Sequence, residues 1–249
     1  MKKILLLAPL LALAACEGSI ANAVGEVASN AGGSSFPDGI PIGTSAVNPG
    51  AFKGVTLAGP DNIVFTAGDD FSVRAEGDAD VIEQLRYKIS GDEIKLGRDT
   101  DGISWGDSDQ ATIYISAPAL QSAKLAGSGS LDIDKMNSDA AKLAIAGSGD
   151  IRVASLKTAA LTSKIAGSGS VTLAGTAESV DVSIAGSGDI RGKNLKADKV
   201  SISVAGSGDV ELSSDGSVDA KVMGSGDVRI HGDAQCKSRS MGSGDVTCG

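Results

Sequence analysis

The sequence predicts an all-β protein whose central part is a parallel β-solenoid of about seven repeats, each 18–20 residues long. Three observations predict this class. The triplet Gly-Ser-Gly occurs seven times, its copies follow one another at a nearly constant interval, and hydrophobic residues alternate with other residues on both sides of each copy. A constant period of this length is typical of proteins in which each repeat stacks on the next.

Each triplet is predicted to be a bend between two half-buried strands. Around the second copy, Leu143 and Ile145 precede the bend, and Ile151 and Val153 follow it. Alternation with a period of two is typical of strands that are buried on one face, and glycine permits the positive φ that a sharp bend needs. Because the same register recurs, we expect the hydrophobic residues to stack in columns. The triplets begin at Gly127, Gly147, Gly167, Gly186, Gly206, Gly224 and Gly242.

The repeats are also compatible with a second architecture. If Gly-Ser-Gly were a hairpin loop, the flanking strands would form an antiparallel meander or prism. Hairpin loops tolerate changes in length, whereas the repeats of this chain keep both their length and their register. The sequence therefore favours stacked parallel coils, which would make the repeat region about 30 Å tall at about 4.8 Å per coil.

Composition restricts both the core and the partners. Of the 249 residues, 41% are hydrophobic but only 3% are aromatic, so the core must consist of Val, Ile, Leu and Ala. The formal net charge of −9 opposes nonspecific binding to nucleic acid and to anionic lipid, and we expect no nucleic-acid partner.

The N-terminus indicates export and lipidation. Met1-Lys2-Lys3 and the apolar run from Ile4 to Ala12 form a secretory signal that is too short to span a membrane. The following Leu13-Ala14-Ala15-Cys16 resembles the bacterial lipobox, which predicts a signal peptide over residues 1–15 and acyl chains, palmitate among them, on Cys16. The alternative is cleavage that leaves a free cysteine. Glu17, where an Asp would indicate inner-membrane retention, favours the outer membrane, with periplasmic face or cell surface left open.

Two further regions are predicted between the signal and the repeats. Residues 16–50 are rich in Ser, Ala, Asn, Gly and Pro, which is typical of a flexible tether. Residues 51–249 are expected to be one head domain, with an irregular β-rich part over residues 51–120 and the repeats over residues 121–249. In the irregular part, Asp80 is the predicted N-cap of a single helical turn. Short strands are predicted there over residues 55–57, 62–66, 71–75, 85–89, 93–96 and 111–116.

The order of these pieces resembles a known family. Phe52-Lys53-Gly54-Val55, Gly68-Asp69-Asp70-Phe71-Ser72-Val73, the helical turn near Val81 to Leu85 and the repeated Gly-Ser-Gly-Asp strands are together similar to the bacterial head GIN domain family, whose members are described as adhesins of the autotransporter type. The resemblance covers Phe52 to the C-terminus. It implies a right-handed β-helix-like fold on an exported or surface-anchored protein, and it brings no catalytic residues.

Aspartates follow five of the seven triplets directly. Stacked carboxylates repel one another, and such a ladder could recruit calcium, which prefers several oxygen ligands. The alternative, which we favour, is that each aspartate caps its bend and faces water, so no cofactor is expected. The five residues are Asp150, Asp189, Asp209, Asp227 and Asp245.

Two cysteines occupy core columns of the last repeat. Cys236 lies six residues before Gly242 and Cys248 six residues after it, at positions that include Val, Leu and Ile in earlier repeats. In an exported protein a disulfide between them is expected, and it would close an end that no further coil covers. The alternative is two buried free thiols.

The sequence contains few residues that could form a catalytic site. His231 is the single histidine and is predicted to lie in a turn. Asp69-Asp70 is the single Asp-Asp pair and is predicted to lie in a loop, and no serine is placed as a nucleophile elbow. Trp105 is the best single candidate for a ligand contact, with a tryptophan of a satellite core as the alternative.

We therefore expect a non-enzymatic lipoprotein with a solenoid head that mediates adhesion or envelope interaction. Its partners would be the membrane, through the lipid anchor, and an unidentified protein or glycan. A polysaccharide-active β-helix enzyme and a structural or envelope-stress accessory protein are the alternatives.

Overall fold

The structure is a computed structural model that describes residues 36, 38–99 and 109–249. The predicted signal peptide, the lipidation residue Cys16 and the contact candidate Trp105 lie outside the described residues. No helix in the described part of the chain has the length and hydropathy needed to cross a bilayer.

Seventeen strands and one short helix make up the described chain, and all strands belong to one continuous sheet. The elements before the repeats are β1 (Ile40–Pro41), β2 (Gly54–Gly59), β3 (Asn62–Ala67), β4 (Ser72–Glu76), α1 (Ala79–Gln84), β5 (Leu85–Ser90), β6 (Glu93–Arg98) and β7 (Thr112–Ala117). The elements of the repeats are β8 (Ser122–Gly127), β9 (Ser130–Ile133), β10 (Met136–Gly147), β11 (Asp150–Gly167), β12 (Ser170–Gly186), β13 (Asp189–Gly206), β14 (Val210–Gly224), β15 (Val228–His231), β16 (Gln235–Gly242) and β17 (Val246–Cys248).

The repeats form a parallel β-solenoid, as the sequence predicts, and the solenoid has about six turns, whereas about seven repeats are expected from the sequence. Each repeat pairs in parallel with the next, and the first glycine of one triplet pairs with the first glycine of the following one, for example Gly147 with Gly167 and Gly167 with Gly186. The antiparallel meander is therefore wrong for the repeats.

Each coil contributes to three sides of the solenoid. The first sheet contains β6, β2, β8, residues 140–147, 160–167, 179–186, 199–206 and 217–224, and β16, in that order. The second sheet contains the strands that follow the triplets, beginning with β7, β3 and β9 and ending with β15 and β17. A narrower third side connects the second sheet back to the first, for example through residues 156–158 of β11.

The core lies between these sides and consists of stacked aliphatic columns. Leu143, Ile145, Ile151 and Val153 are all at most 2% exposed, and the residues between them point outward. Full burial of such side chains stabilises by about 1.5–3 kcal/mol each, so the recurring columns supply the main stabilising term of a core that is poor in aromatic residues.

Backbone contact at the triplets holds successive coils together. The first glycine of each triplet has a φ between 127° and 137°, and a Cβ added there would lie 2.0–2.4 Å from the carbonyl oxygen of the equivalent glycine in the coil before. The serine N–H donates to that same carbonyl, as Ser148 N does to Gly127 O at 3.0 Å. The serine side chains are exposed, so the serine contributes to this contact through its backbone.

An eighth corner precedes the seven triplets. Gly59-Pro60-Asp61 stands directly before Gly127-Ser128-Gly129 in the stack, and Gly59 pairs with Gly127. A Cβ on Gly129 would lie 1.9 Å from the carbonyl oxygen of Asp61, so the two corners have the same close approach. Strands β2 and β3 thus form a further coil, which the sequence does not reveal because Pro and Asp replace Ser and Gly.

Antiparallel strands close the N-terminal end of the solenoid. β5 pairs antiparallel with β6, β4 pairs antiparallel with β7, and α1 connects β4 to β5. The N-cap of α1 is Asp78, whose carboxylate accepts the Asp80 N–H at 2.9 Å, so the prediction of Asp80 as N-cap is wrong by two residues. Asp80 lies in the first turn of α1, where its negative charge interacts favourably with the positive end of the helix dipole.

The predicted flexible tether is wrong for its described part. Ile42 is 2% exposed and its N–H donates to Leu85 O, while Val47 exchanges backbone hydrogen bonds with Val73. β1 pairs antiparallel with β5, and its Pro41 is tolerated because β1 lies at the edge of the sheet. Burial of Ile42 and these backbone bonds outweigh a composition that is typical of linkers.

Polar residues and a disulfide close the C-terminal end. Ser238 and Ser240 stand where earlier coils have hydrophobic residues, and every residue of β16 except Cys236 is exposed. Cys236 in β16 and Cys248 in β17 form a disulfide with an S–S distance of 2.03 Å. A polar edge strand with Lys237 and Arg239 discourages pairing with another chain.

We predict that Gly186→Val lowers the free energy of unfolding by about 2–4 kcal/mol, because its φ of 127° is unfavourable for valine and the added Cβ would meet Gly167 O at 2.3 Å. Denaturant unfolding measures the effect. Ser187→Ala is the matched control and is expected to change stability by less than about 0.5 kcal/mol, because Ser187 is exposed. Equal stability of Gly186→Val and the wild type would contradict the corner geometry.

We predict that replacing both Cys236 and Cys248 by alanine loosens the last coil before the rest of the solenoid. The disulfide closes a loop of 12 residues in sequence separation, which corresponds to about 3 kcal/mol on the chain-entropy estimate. Hydrogen exchange of the β16 and β17 amides should accelerate by about a hundredfold. Chemical reduction of the wild type should reproduce this change, whereas unaltered exchange in both cases would contradict it.

Candidate functional site

The candidate site is a long groove on the outside of the solenoid, which we call the axial groove. It follows the line where the third side of each coil meets the first sheet. A concavity of about 770 Å³ crosses five coils there, from residues 160–162 in β11 to residues 235–237 in β16. In β11, β12 and β13 the strand continues through this corner without a Gly-Ser-Gly bend, and the groove is open to solvent.

The C-terminal part of the groove has a lining of mixed polarity, in which aliphatic residues such as Leu161 and Val200 alternate with small polar side chains. The polar members are Thr162, Ser179, Ser201, Ser217 and Gln235, and the charged members are Asp181, Lys199, Asp219 and Lys237. Hydroxyl and amide groups both donate and accept hydrogen bonds. This part of the groove can therefore bind a polar ligand, but its described lining contains no aromatic side chain on which a ring could stack.

The N-terminal part of the groove is rich in lysine. A second concavity of about 550 Å³ shares Thr162 with the first. Four lysines, Lys53, Lys124, Lys142 and Lys164, line it together with two carboxylates, Asp92 and Glu93. Lysine ammonium groups are compact donors of three hydrogen bonds each. The axial groove therefore changes from a basic end to a hydroxyl-rich end.

A small hydrogen-bonded network holds the wall at the basic end. Glu93 accepts a hydrogen bond from Thr56 Oγ1 at 2.6 Å and forms an ion pair with Lys124 Nζ at 3.2 Å. Thr56 is 1% exposed, and the side chains of Lys124 and Glu93 are 16% and 14% exposed. Strands β2, β6 and β8 each contribute one member, so the network ties three adjacent layers together.

The predicted aspartate ladder bonds neighbouring coils to one another. Asp189 Oδ1 accepts the Asp209 N–H at 3.1 Å, Asp209 Oδ1 accepts the Asp227 N–H at 2.8 Å, and Asp227 Oδ1 accepts the Asp245 N–H at 2.9 Å. Asp150 makes the same bond to Ser170. The structure thus replaces the expected cap of the same bend by a cap of the next coil.

The described residues contain no group of three or more His, Cys, Asp and Glu side chains that could hold a metal ion. Since each ladder carboxylate except that of Asp245 uses an oxygen for a neighbouring backbone N–H, the geometry gives the calcium hypothesis no support.

The sequence predicts that the single histidine lies in a turn, but in the structure it lies at the end of a strand. His231 is the last residue of β15, and its Nε2 lies 2.7 Å from Glu211 Oε1 in the preceding coil. This hydrogen bond, together with weaker attraction to nearby cations, lowers the pKa of Glu211 below its usual range. The pair is a contact between coils, and Asp69-Asp70 remains exposed in the connection from β3 to β4.

Sequence reasoning missed a buried ion pair at the first corner. Asp61 is 0% exposed and binds Arg98 through two hydrogen bonds, at 2.8 Å and 2.6 Å. It also accepts the Ala111 N–H at 2.9 Å, and Arg98 in turn donates to Asp109 O. The bonds to Asp61 raise the pKa of Arg98. Asp61 thus joins the end of β6 to the residue before β7. A buried carboxylate can indicate a catalytic group, but the contacts of Asp61 give it a structural role.

A family model and several solved structures match the chain. The model described as "Putative auto-transporter adhesin, head GIN domain" matches residues 51–234. A structure of a "putative adhesin" from Bacteroides fragilis has 23% sequence identity and a TM-score of 0.75, and the match covers 82% of this chain and 95% of that one. None of the curated proteins matches the sequence.

Two further solved structures share the fold. A "putative lipid binding protein" from Parabacteroides distasonis has 20% identity and a TM-score of 0.64, over 82% of this chain and 95% of that one. A "putative adhesin" from Parabacteroides merdae has 18% identity and a TM-score of 0.59, over 82% of this chain and 94% of that one. At these identities the structures show a common architecture.

We predict that Asp61→Gly destabilises the protein although it restores the glycine found at this corner position in the other coils. Removing the carboxylate leaves Arg98, whose side chain is 10% exposed, with an uncompensated buried charge, which costs about 3–5 kcal/mol. Urea unfolding measures the loss. The double variant Asp61→Gly with Arg98→Met is expected to recover more than half of it, and a single variant as stable as the wild type would contradict the proposed role.

Proposed function

This chain belongs to the head GIN domain family of adhesin-like proteins, and from that premise we propose that it is a non-enzymatic lipoprotein whose solenoid head binds an envelope or surface partner. An adhesin-like family indicates an extracellular or envelope location. The lipobox-like segment that ends at Cys16 supports an acyl anchor, and Glu17 supports the outer membrane.

The axial groove carries the proposal. It extends over most coils of a stack in which the backbone of each coil bonds to the next, so its shape depends on the whole fold and not on one loop. Long open grooves suit extended partners, whereas enclosed clefts suit small substrates. A binding module is therefore the function that this surface supports best.

The titratable groups favour binding over catalysis. Asp61 is engaged by Arg98, Glu211 by His231, and Asp189, Asp209 and Asp227 by N–H groups of the next coil. A glycoside hydrolase needs two carboxyl groups facing one substrate position. The alternative, a polysaccharide-active enzyme, would show an activity on polysaccharide that a single Asp substitution abolishes.

The name of the Parabacteroides distasonis relative raises lipid binding as a second possibility. In this chain the columns between the sheets are filled by Val, Ile and Leu side chains at most 4% exposed, such as Val182, Ile202 and Val200. We therefore assign ligand binding to the exterior, and lipid to the covalent anchor. A structural or envelope-stress accessory protein would use the same exterior for a protein partner.

We predict that Cys16→Ala removes the protein from the membrane fraction, because acyl chains and not charge would hold an acidic chain to a membrane. Cell fractionation and metabolic labelling with a palmitate analogue measure the two effects. Cys236→Ala is the control and should retain both the label and the membrane location. An anchored Cys16→Ala protein would contradict lipidation at this residue.

Protease added to intact cells then distinguishes the two orientations. Digestion of the head is expected for display on the cell surface, whereas protection until the outer membrane is opened indicates a partner in the periplasm.

A further inference from the structure

Positive charge gathers on one side of an acidic protein. The whole chain has 22 Lys and Arg residues against 31 Asp and Glu residues. We define the basic face as the outward side of residues 54–59, 93–97, 122–127, 140–147, 160–167, 179–186, 199–206, 217–224 and 235–242, which are parallel neighbours in the first sheet. This face has the opposite sign to the rest of the chain.

The alternation of the strands places the charges on the outside. Lys124 lies between Ala123 and Leu125, which are both fully buried, and the same parity holds in the other coils. The outward cations of the basic face are Lys95, Lys124, Lys142, Lys164, Lys199, Lys221, Lys237 and Arg239, and the outward anions are Glu93, Asp181 and Asp219.

Several of these lysines have no carboxylate to neutralise them. Ion pairs on the face include Lys124 with Glu93 at 3.2 Å and Lys221 with Asp219 at 3.8 Å. Within the residues that the structure describes, Lys142, Lys164 and Lys199 have no carboxylate oxygen within 4 Å. Their charge is available to a ligand.

The spacing of the lysines matches a linear ligand lying along the axis. Lys124 and Lys164 occupy the same column two coils apart, which is about 10 Å at the usual strand spacing, and Lys142 lies in the coil between them. Lys124, Lys142 and Lys164 line the basic end of the axial groove, and Lys199 lines its other part. Lys124 is paired with Glu93, and Lys199 shares its part of the groove with Asp181 and Asp219, so the positive charge that a ligand can use is concentrated at the basic end, on Lys142 and Lys164.

We propose that the axial groove binds an extended acidic polysaccharide, one that carries carboxylate groups along its length. Lysine ammonium groups pair with the carboxylates, and the hydroxyl groups of Thr162, Ser179 and Ser201 exchange hydrogen bonds with the sugar hydroxyls. The inference rests on the proposed function, since it names the class of partner that the binding module takes.

Two other anionic partners fit the surface less well. A bilayer is flat and cannot reach a recessed cation such as Lys124, whose side chain is 16% exposed in a concavity. Single-stranded nucleic acid depends on aromatic side chains for stacking, and the described strands of the basic face contain none. A carbohydrate chain needs neither a flat contact nor stacking on this face.

The test is binding of the full chain, purified in mild detergent, to polygalacturonate, with neutral dextran as the uncharged comparison. We expect binding to polygalacturonate alone, and affinity should fall as salt rises from 50 to 300 mM because the Debye length shortens to less than about 8 Å. The double variant Lys142→Glu with Lys164→Glu should bind at least about tenfold more weakly, because it replaces attraction by repulsion.

A matched variant controls for net charge. Lys135→Glu with Lys157→Glu makes the same change in total charge at exposed positions away from the basic face, and it should alter affinity by less than about twofold. Thermal unfolding of both variants verifies that the fold is retained, and Lys142→Gln with Lys164→Gln should show an intermediate loss. Equal loss in the two charge-reversal variants would overturn the assignment to the groove.

Other outcomes also overturn the proposal. One is that the wild type does not bind polygalacturonate at 50 mM salt. The others are that it binds poly-L-glutamate, or phosphatidylglycerol vesicles, more tightly than it binds polygalacturonate. Failure of the proposed function is measured separately, by comparing attachment of cells with and without the protein. If the protein binds the polymer but does not change the attachment of cells, the adhesion role alone is rejected. If the protein still changes attachment when it carries Lys142→Glu with Lys164→Glu, the groove ligand alone is rejected.

Discussion

The close approach of backbone to backbone at the glycine corners is the constraint on which the solenoid depends. At each corner the carbonyl oxygen of one glycine occupies the space that a Cβ of the next would need, as between Gly167 and Gly186. The contact leaves room for the serine N–H to bond to that carbonyl, and it sets the coils in register. The hydrophobic columns, the aspartate ladder and the axial groove all follow from that register, because each consists of equivalent residues one coil apart.

Register also separates the residues that form the core from those that form the outer surface. Inward positions alternate with outward ones along every strand, so Lys142 and Lys164 contribute to the surface without disturbing Leu143 or Ile165 in the core. A surface of this kind can change its charge while the fold persists. If the head binds as proposed, its specificity resides in columns of outward residues and not in a cluster from distant loops.

Periodicity made the repeats predictable, and departures from it explain what was missed. Seven identical triplets and the alternation around Ile145 or Ile151 indicate the parallel coils directly. The corner at Gly59-Pro60-Asp61 escaped notice because its proline and aspartate differ from the other corners, and the role of Asp61 depends on Arg98, 37 residues away in sequence. The axial groove was not predictable either, because it follows from how the third side meets the first sheet, a feature that no single repeat encodes. Composition alone misassigned residues 38–50, because it does not show the burial of Ile42 or the backbone hydrogen bonds of Ile42 to Leu85 and of Val47 to Val73.

The two ends of the stack differ, and this difference has a consequence for how such a molecule can vary in evolution. Antiparallel strands close one end and the disulfide between Cys236 and Cys248 closes the other, while every intermediate coil contacts only its two neighbours in the same register. A whole coil can therefore be duplicated or deleted between equivalent glycines without altering either terminus. Each such event would lengthen or shorten the groove by about 4.8 Å, so the reach of the molecule is a modular quantity that gene duplication can adjust one coil at a time.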